Sequence, residues 1–257
     1  MTRAFKSWFV GLVSTVAFVW FSVEWFDRPI ALWVHDIFGT WRSSLPIQSA
    51  TRILSTQLGA TVLFVILGLV AIMGRRFSNL EAAIAVSTIS SLATLVVNSQ
   101  LKFAFGRTWP DPVEPGMVSL LHDNAYGFHF FKFGPAFESF PSGHAAFAAA
   151  VLFSMWIFFP KCRVICAIGI VAVDVGLLML NLHFLSDVVA GTFLGLSTGL
   201  FTFAILRATD FRMKSSNLSQ VGKFQHGVHR DYPVDTKPGD KNIPSRTSKA
   251  RYNAGTA

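Results

Sequence analysis

The sequence predicts an all-α fold, a polytopic membrane bundle of six transmembrane helices with both termini cytoplasmic. Three observations lead there. Only 14% of the 257 residues are charged and 52% are hydrophobic, whereas a soluble domain carries about 25% charged residues. Mean hydropathy is +0.48. Apolar stretches near the ~20 residues that a bilayer requires recur along the chain, and basic residues cluster in alternate connections between them.

The spans are expected at residues 7–26, 58–73, 81–103, 142–159, 164–182 and 185–206. Arg3 and Lys6 give the first the basic start of a signal peptide. No small-residue cleavage site precedes Glu24, so it reads as a span. Residues 1–206 then form one membrane domain, and 207–257 a basic, disordered cytoplasmic tail rich in Ser, Asn, Asp, Gly and Lys.

Arg3 and Lys6, Arg75 and Arg76, Lys161 and Arg163, and the tail all fall on one side of such a bundle, the cytoplasmic side by the positive-inside rule. The net charge of +8 lies largely in that tail, so it reads as a cytoplasmic anchor rather than a nucleic-acid surface. The outer side receives residues 27–57, residues 106–141 and the turn near His183. Arg28, Arg42 and Arg52 weaken this contrast without reversing it. Cys162 and Cys166 stand one helical turn apart and are expected to form neither a disulfide nor a metal site. The segment 106–141 carries Tyr126, Phe128, Phe130, Phe131, Phe133, Phe137 and Phe140. It reads as an interfacial anchor, with a gate over an acyl-chain entrance as the sharper alternative.

Three short segments on that outer side carry chemistry. Pro141 bars helix before it, and Ser142 is a good N-cap. A helix start offers amide N–H groups to an anion, Gly143 admits close approach, and His144 stands in the first turn. Taken alone, such a tetrapeptide fits an ordinary capped helix with an incidental histidine better than an anion site. His183 and Asp187 share one helix face, so the carboxylate can orient one imidazole nitrogen and leave the other as nucleophile or base. Lys102 and Arg107 close the third span. Singly they read as snorkelling cations; together with the histidines they read as phosphate clamps. Asn98, one turn before Lys102, is placed to orient it. Asp174 inside the fifth span is costly to bury and is expected in a polar network with Asn181 or another span, or in a hydrated crevice, with no catalytic role. His122, Asp123 and His129 match no strong metal pattern.

In order and type these segments resemble the type-2 phosphatidic acid phosphatase superfamily, which includes acid phosphatases and vanadium haloperoxidases. The resemblance covers residues 102–191. Lys102 and Pro110 fit the first motif, with Trp109 where Arg is usual; Pro141-Ser142-Gly143-His144 is the second motif intact. His183 and Asp187 fit the third, with Gly176 and Leu177 in place of Ser-Arg.

The resemblance implies that His183 attacks phosphorus to form a phosphohistidine, that Asp187 orients it, and that His144 protonates the leaving oxygen and then activates water. Lys102, Ser142 and Gly143 would hold the phosphate, with no metal and no cofactor. Arg107 is expected to supply the fork that position 109 lacks. It also implies an integral membrane phosphatase acting on a lipid-linked phosphomonoester or pyrophosphate, of the phosphatidate, phosphatidylglycerophosphate, isoprenyl pyrophosphate or lipid A type, with its site at the periplasmic face of a bacterial inner membrane. The rivals are a phosphotransferase on the same scaffold, a weakened member that binds or moves phospholipid, and a haloperoxidase requiring vanadate.

Overall fold

The computed structural model describes residues 3–42, 78–111, 117–132 and 134–208. Its helices, in chain order, are α1 (Arg3–Trp25), α2 (Asp27–Arg42), α3 (Asn79–Phe105), α4 (Leu120–Asp123), α5 (Gly143–Phe158), α6 (Arg163–Met179) and α7 (Leu185–Ala208). Isolated β-bridges tie Arg107 to Phe128 and to Glu138, and Trp109 to Ser119. The described residues are thus all-helical, as composition predicts.

Four stretches, Phe5–Trp25, Asn79–Phe105, Pro160–Met179 and Leu185–Ala208, are long and apolar enough to cross a bilayer. α5, expected to be a full span, has only 16 residues, about 24 Å at ~1.5 Å per residue, against a hydrocarbon core of ~30 Å. The expected span at 58–73, Arg75 and Arg76, and the tail beyond residue 208 lie outside the described residues.

One expectation is corrected. Residues 27–57 read as a loop, yet they begin with the 16-residue α2. Asp27, Ala31 and Val34 are 1%, 3% and 2% exposed, and their spacing puts them on one helix face. Leu32, Trp33 and Ile37 of the same helix are exposed, so a hydropathy reading does not pick out the buried face.

Local chemistry fixes the helix ends near the site. At the far end of α3, Ser78 Oγ accepts from the Glu81 N–H (3.3 Å), and the Glu81 carboxylate accepts from the Ser78 N–H (2.7 Å), a reciprocal cap. At the site end, α3 stops at Gly106, whose φ of 52° is left-handed. A Cβ there would stand 2.1 Å from the carbonyl oxygen of His129, so only glycine lets residues 129–131 fold back over the end of the helix. Ser142 caps α5, its Oγ accepting from the Ala145 N–H at 3.4 Å. Asn181 ends α6 in a left-handed conformation, φ 53°, which asparagine tolerates; its side-chain amide donates to the Ala31 carbonyl at 2.9 Å. That turn delivers His183 to the bundle end.

α5 packs against α3, α6 and α7, and its closest partner is α7. Ala145, Ala146, Ala149 and Ala150 are fully buried and face Gly191, Gly195 and Gly199, a small-residue seam of the kind that draws membrane helices together. A Cβ at Gly195 would lie 2.1 Å from the Ala146 carbonyl oxygen and 2.8 Å from the Ala150 nitrogen. Gly195→Leu is therefore expected to lower the unfolding temperature in detergent, by about 1–3 kcal/mol in stability. An unchanged transition would mean that the seam opens without cost.

Candidate active site

Helix ends bring the three chemical segments together. Lys102 comes from the last turn of α3, His144 from the first turn of α5, and Asp187 from the first turn of α7, with His183 in the turn before it. The His144 and His183 ring centroids are 6.4 Å apart. His183 Nδ1 lies 3.7 Å from Asp187 Oδ2, beyond hydrogen-bond length, and makes no other hydrogen bond. His183 is 4% exposed.

Asp187 is fully buried and surrounded by donors. Its Oδ1 accepts from Arg107 at 2.6 Å; its Oδ2 accepts from Ser139 Oγ at 2.6 Å and from the Phe184 N–H at 3.0 Å. Its carbonyl oxygen accepts from the Ser142 N–H at 3.0 Å, so the second and third motifs are joined through the main chain. Burial pushes the His183 imidazole below its ordinary value, with nearby Asp187 opposing. The ring is therefore neutral at neutral pH, the form that attacks an electrophile.

The two positions where arginines were expected are occupied differently. The Trp109 ring lies 5.2 Å from that of His183 and 5.9 Å from Lys102 Nζ, and its Nε1–H donates to the Pro135 carbonyl at 2.8 Å. Leu177 is 1% exposed and packs with Ala145, Leu182 and Val188, so an apolar cluster fills its place.

Arg107 does not take over from them, which corrects the expectation of an accessible phosphate fork. It is 0% exposed, with one terminal nitrogen 2.6 Å from Asp187 Oδ1 and the other 2.7 Å from Asp27 Oδ2. It also donates to Ser186 Oγ and, at 3.2 Å, to Tyr126 Oη. Its guanidinium carbon lies 5.4, 4.8 and 4.5 Å from the ring centres of Tyr126, Phe128 and Phe184. Its two carboxylate partners hold the cation charged. Arg107 stands behind Asp187, walled off by rings. The remaining expected donors are differently placed. Lys102 is half-buried, while Ser142 and Gly143 are buried at the start of α5. Asn98 is buried, but its Oδ1 accepts no hydrogen bond, so it does not orient Lys102.

Asp27 is the residue that sequence reasoning missed. It accepts from Ser22 Oγ (2.9 Å), the Ser186 N–H (3.0 Å) and Ser186 Oγ, besides Arg107. An ionisable residue at a span end was the available signal. Asp174 is hydrogen-bonded by Thr192 of α7 at 2.9 Å, whereas Asn181 turns to α2. His122 pairs with Asp111 at 3.2 Å, Asp123 caps Ser119, and His129 packs on Phe137. Among the described residues no three of His, Cys, Asp and Glu gather as a metal-ligating group. Cys162 and Cys166 are free. Within segment 106–140, Phe128, Phe130 and Phe140 interlock with Phe105 of α3, and Phe130 and Phe131 are exposed. Phe133 is outside the described residues.

A family model, that of the PAP2 superfamily, matches residues 80–210, which is half of the chain and holds all three segments. The chain belongs to the PAP2 superfamily. This is the family that the three motifs resemble. Similar curated relatives are a lipid A 1-phosphatase of Rhizobium johnstonii, 35% identical over 107 residues (40% of this chain, 39% of that one), and a lipid A 1-phosphatase of Rhizobium etli, 36% identical over 100 residues (37% and 38%). The chain thus spans about two-fifths of the length of these relatives. A solved structure, that of a transmembrane PAP2-type phosphatidylglycerolphosphate phosphatase from Bacillus subtilis, aligns with 82% of this chain and 97% of its own at 20% identity and TM-score 0.46.

Proposed function

We propose that this PAP2 protein is an integral membrane phosphatase that releases phosphate from a lipid-linked phosphomonoester or pyrophosphate at the outer face of the membrane. What supports the reading most is the convergence of His183, Asp187, His144 and Lys102 from three separate helix ends. Neutral His183 attacks phosphorus, and the bond to the leaving oxygen breaks as His144 supplies its proton. Asp187 stabilises the positive charge that develops on the imidazole. His144, now neutral, takes a proton from water, which displaces phosphate from the phosphohistidine. Lys102, Ser142 and the Gly143 amide hold the phosphate oxygens at the start of α5. The residues present need no metal for these steps.

The lipid A 1-phosphatase relatives make a phosphorylated lipid headgroup the first substrate to test. Phosphatidate and an isoprenyl pyrophosphate are the alternatives. With Trp109 and Leu177 at the two expected arginine positions, fewer cations face the phosphate, which favours the singly phosphorylated substrates. The positive-inside pattern of the sequence supports a reading in which both termini are cytoplasmic and the site faces the periplasm of a bacterial inner membrane.

The test is phosphate release by the purified full chain in detergent from phosphatidate, phosphatidylglycerophosphate, undecaprenyl pyrophosphate and lipid A, with and without chelator. Release that persists in chelator and is lost in His183→Ala is expected. Because burial lowers the His183 pKa and the neutral ring is the nucleophile, kcat/KM should fall on acidification only below the ~6.5 of an ordinary histidine. If lipid binds but no substrate in the panel is turned over, the catalytic reading fails and a phospholipid-binding member replaces it.

A further inference from the structure

Helices α1 and α2 lie outside residues 80–210, which the family model matches, yet the first residue of α2 brings a buried carboxylate to within one guanidinium of Asp187. We infer that Asp27 is a positioning residue of the active site, acting through Arg107 to set the orientation and effective charge of Asp187 and thereby the reactivity of His183. This rests on the reading of His183 as the nucleophile.

The guanidinium is shared. One terminal nitrogen serves Asp187 (2.6 Å) and the other serves Asp27 (2.7 Å), so Arg107 does not clamp Asp187 with both prongs. Two carboxylates and one guanidinium carry a net charge of −1. A lone Arg107–Asp187 pair would be neutral and would offer less to a cationic imidazole. Ser186 ties the trio together. Its Oγ accepts from Arg107 and donates to Asp27, while its N–H donates to Asp27 at 3.0 Å. Ser22 of α1 holds Asp27 from the other side at 2.9 Å. Tyr126, which donates to the Val23 carbonyl at 2.5 Å, bonds the same guanidinium.

Asp27, Arg107, Ser186 and Asp187 are each 0–1% exposed. In such water-poor surroundings charges couple strongly. The other ionisable groups around His183 are His144 of α5 and Lys102 of α3, with Glu138 of the covering segment beyond Lys102. None of these is altered in the Asp27 variants.

The test compares the full chain in detergent with Asp27→Asn and with Asp27→Asn/Arg107→Gln. Asparagine keeps the shape and removes one charge, taking the trio from −1 to 0; the double variant returns it to −1. Asp27→Asn is expected to lower kcat about ten- to a hundredfold, the loss typical of a group that orients a functional side chain, with KM unchanged and the acid limb of kcat/KM shifted to lower pH. In the double variant the acid limb should return towards that of the wild type. A purely structural staple would lower the unfolding temperature and leave kcat and the limb alone, and that result overturns the proposal. If Asp27→Asn is not recovered folded, the double variant decides, because an acid limb below the wild type's is incompatible with the charge argument. The His183 titration, read by NMR of carbon-13-labelled histidine, follows the same coupling without turnover. A shift there in a chain that releases no phosphate would leave the electrostatic coupling of Asp27 to His183 standing, while the absent release overturns the phosphatase reading and the catalytic role of Asp27 with it.

Discussion

Arg107→Ala will destabilise the protein by about 3–5 kcal/mol, the cost of removing one partner from a buried ion pair. Arg107 is the cation between Asp27 and Asp187, both fully buried, and its loss leaves two carboxylates facing one another without water. The void falls among the rings of Tyr126, Phe128 and Phe184, and the hydroxyls of Tyr126 and Ser186 that line it carry no positive charge to replace the guanidinium. Lysine will not rescue it, since a single ammonium cannot bridge two carboxylates as a planar fork does. The measurement is thermal unfolding in detergent, with recovery of folded protein from the membrane as the coarser readout. An Arg107→Ala protein that melts like the wild type and binds phosphate less tightly would restore Arg107 as a substrate clamp.

Asp187→Asn should lower kcat by about three to four powers of ten, as seen when the carboxylate behind a catalytic histidine becomes an amide. Both oxygens of Asp187 face donors: Arg107 on one side, Ser139 Oγ and the Phe184 N–H on the other. An asparagine must turn its NH2 towards one of these sets, so it loses acceptors and sets donor against donor. His183 then loses both its electrostatic partner and the anchor of its turn. The loss should appear in kcat more than in KM, because charge on the imidazole develops only as phosphorus is attacked. Phosphate-release kinetics and trapping of the phosphoenzyme measure it; a loss smaller than tenfold would mean that Asp187 does not support the nucleophile.

Much of this arrangement was legible in the chain. Helices α1, α3, α6 and α7 are long apolar runs, and their ends follow from local signals such as the Ser78–Glu81 cap and Gly106. His144, His183, Asp187 and Lys102 stood out because polar groups at the ends of apolar spans are few. α2 was not legible, because its buried face consists of Asp27, Ala31 and Val34, too few apolar residues to signal a helix. Nor was the part played by Arg107. Its partners stand 80 positions away along the chain in either direction, and from sequence an arginine near a phosphate motif looks the same whether it faces the ligand or the residue behind it. Only tertiary packing separates the two.

The glycine–alanine seam between α5 and α7 has a consequence for how this protein responds to the lipid around it. His144 is carried by one wall of that seam and Asp187 by the other, and main-chain atoms set the gauge between them. Nothing soft remains there to compress, so lateral pressure and acyl composition should leave the spacing of His144 and Asp187 nearly constant. Any sensitivity of turnover to the bilayer is then expected away from the seam, with the exposed rings of Phe130 and Phe131 the first to test.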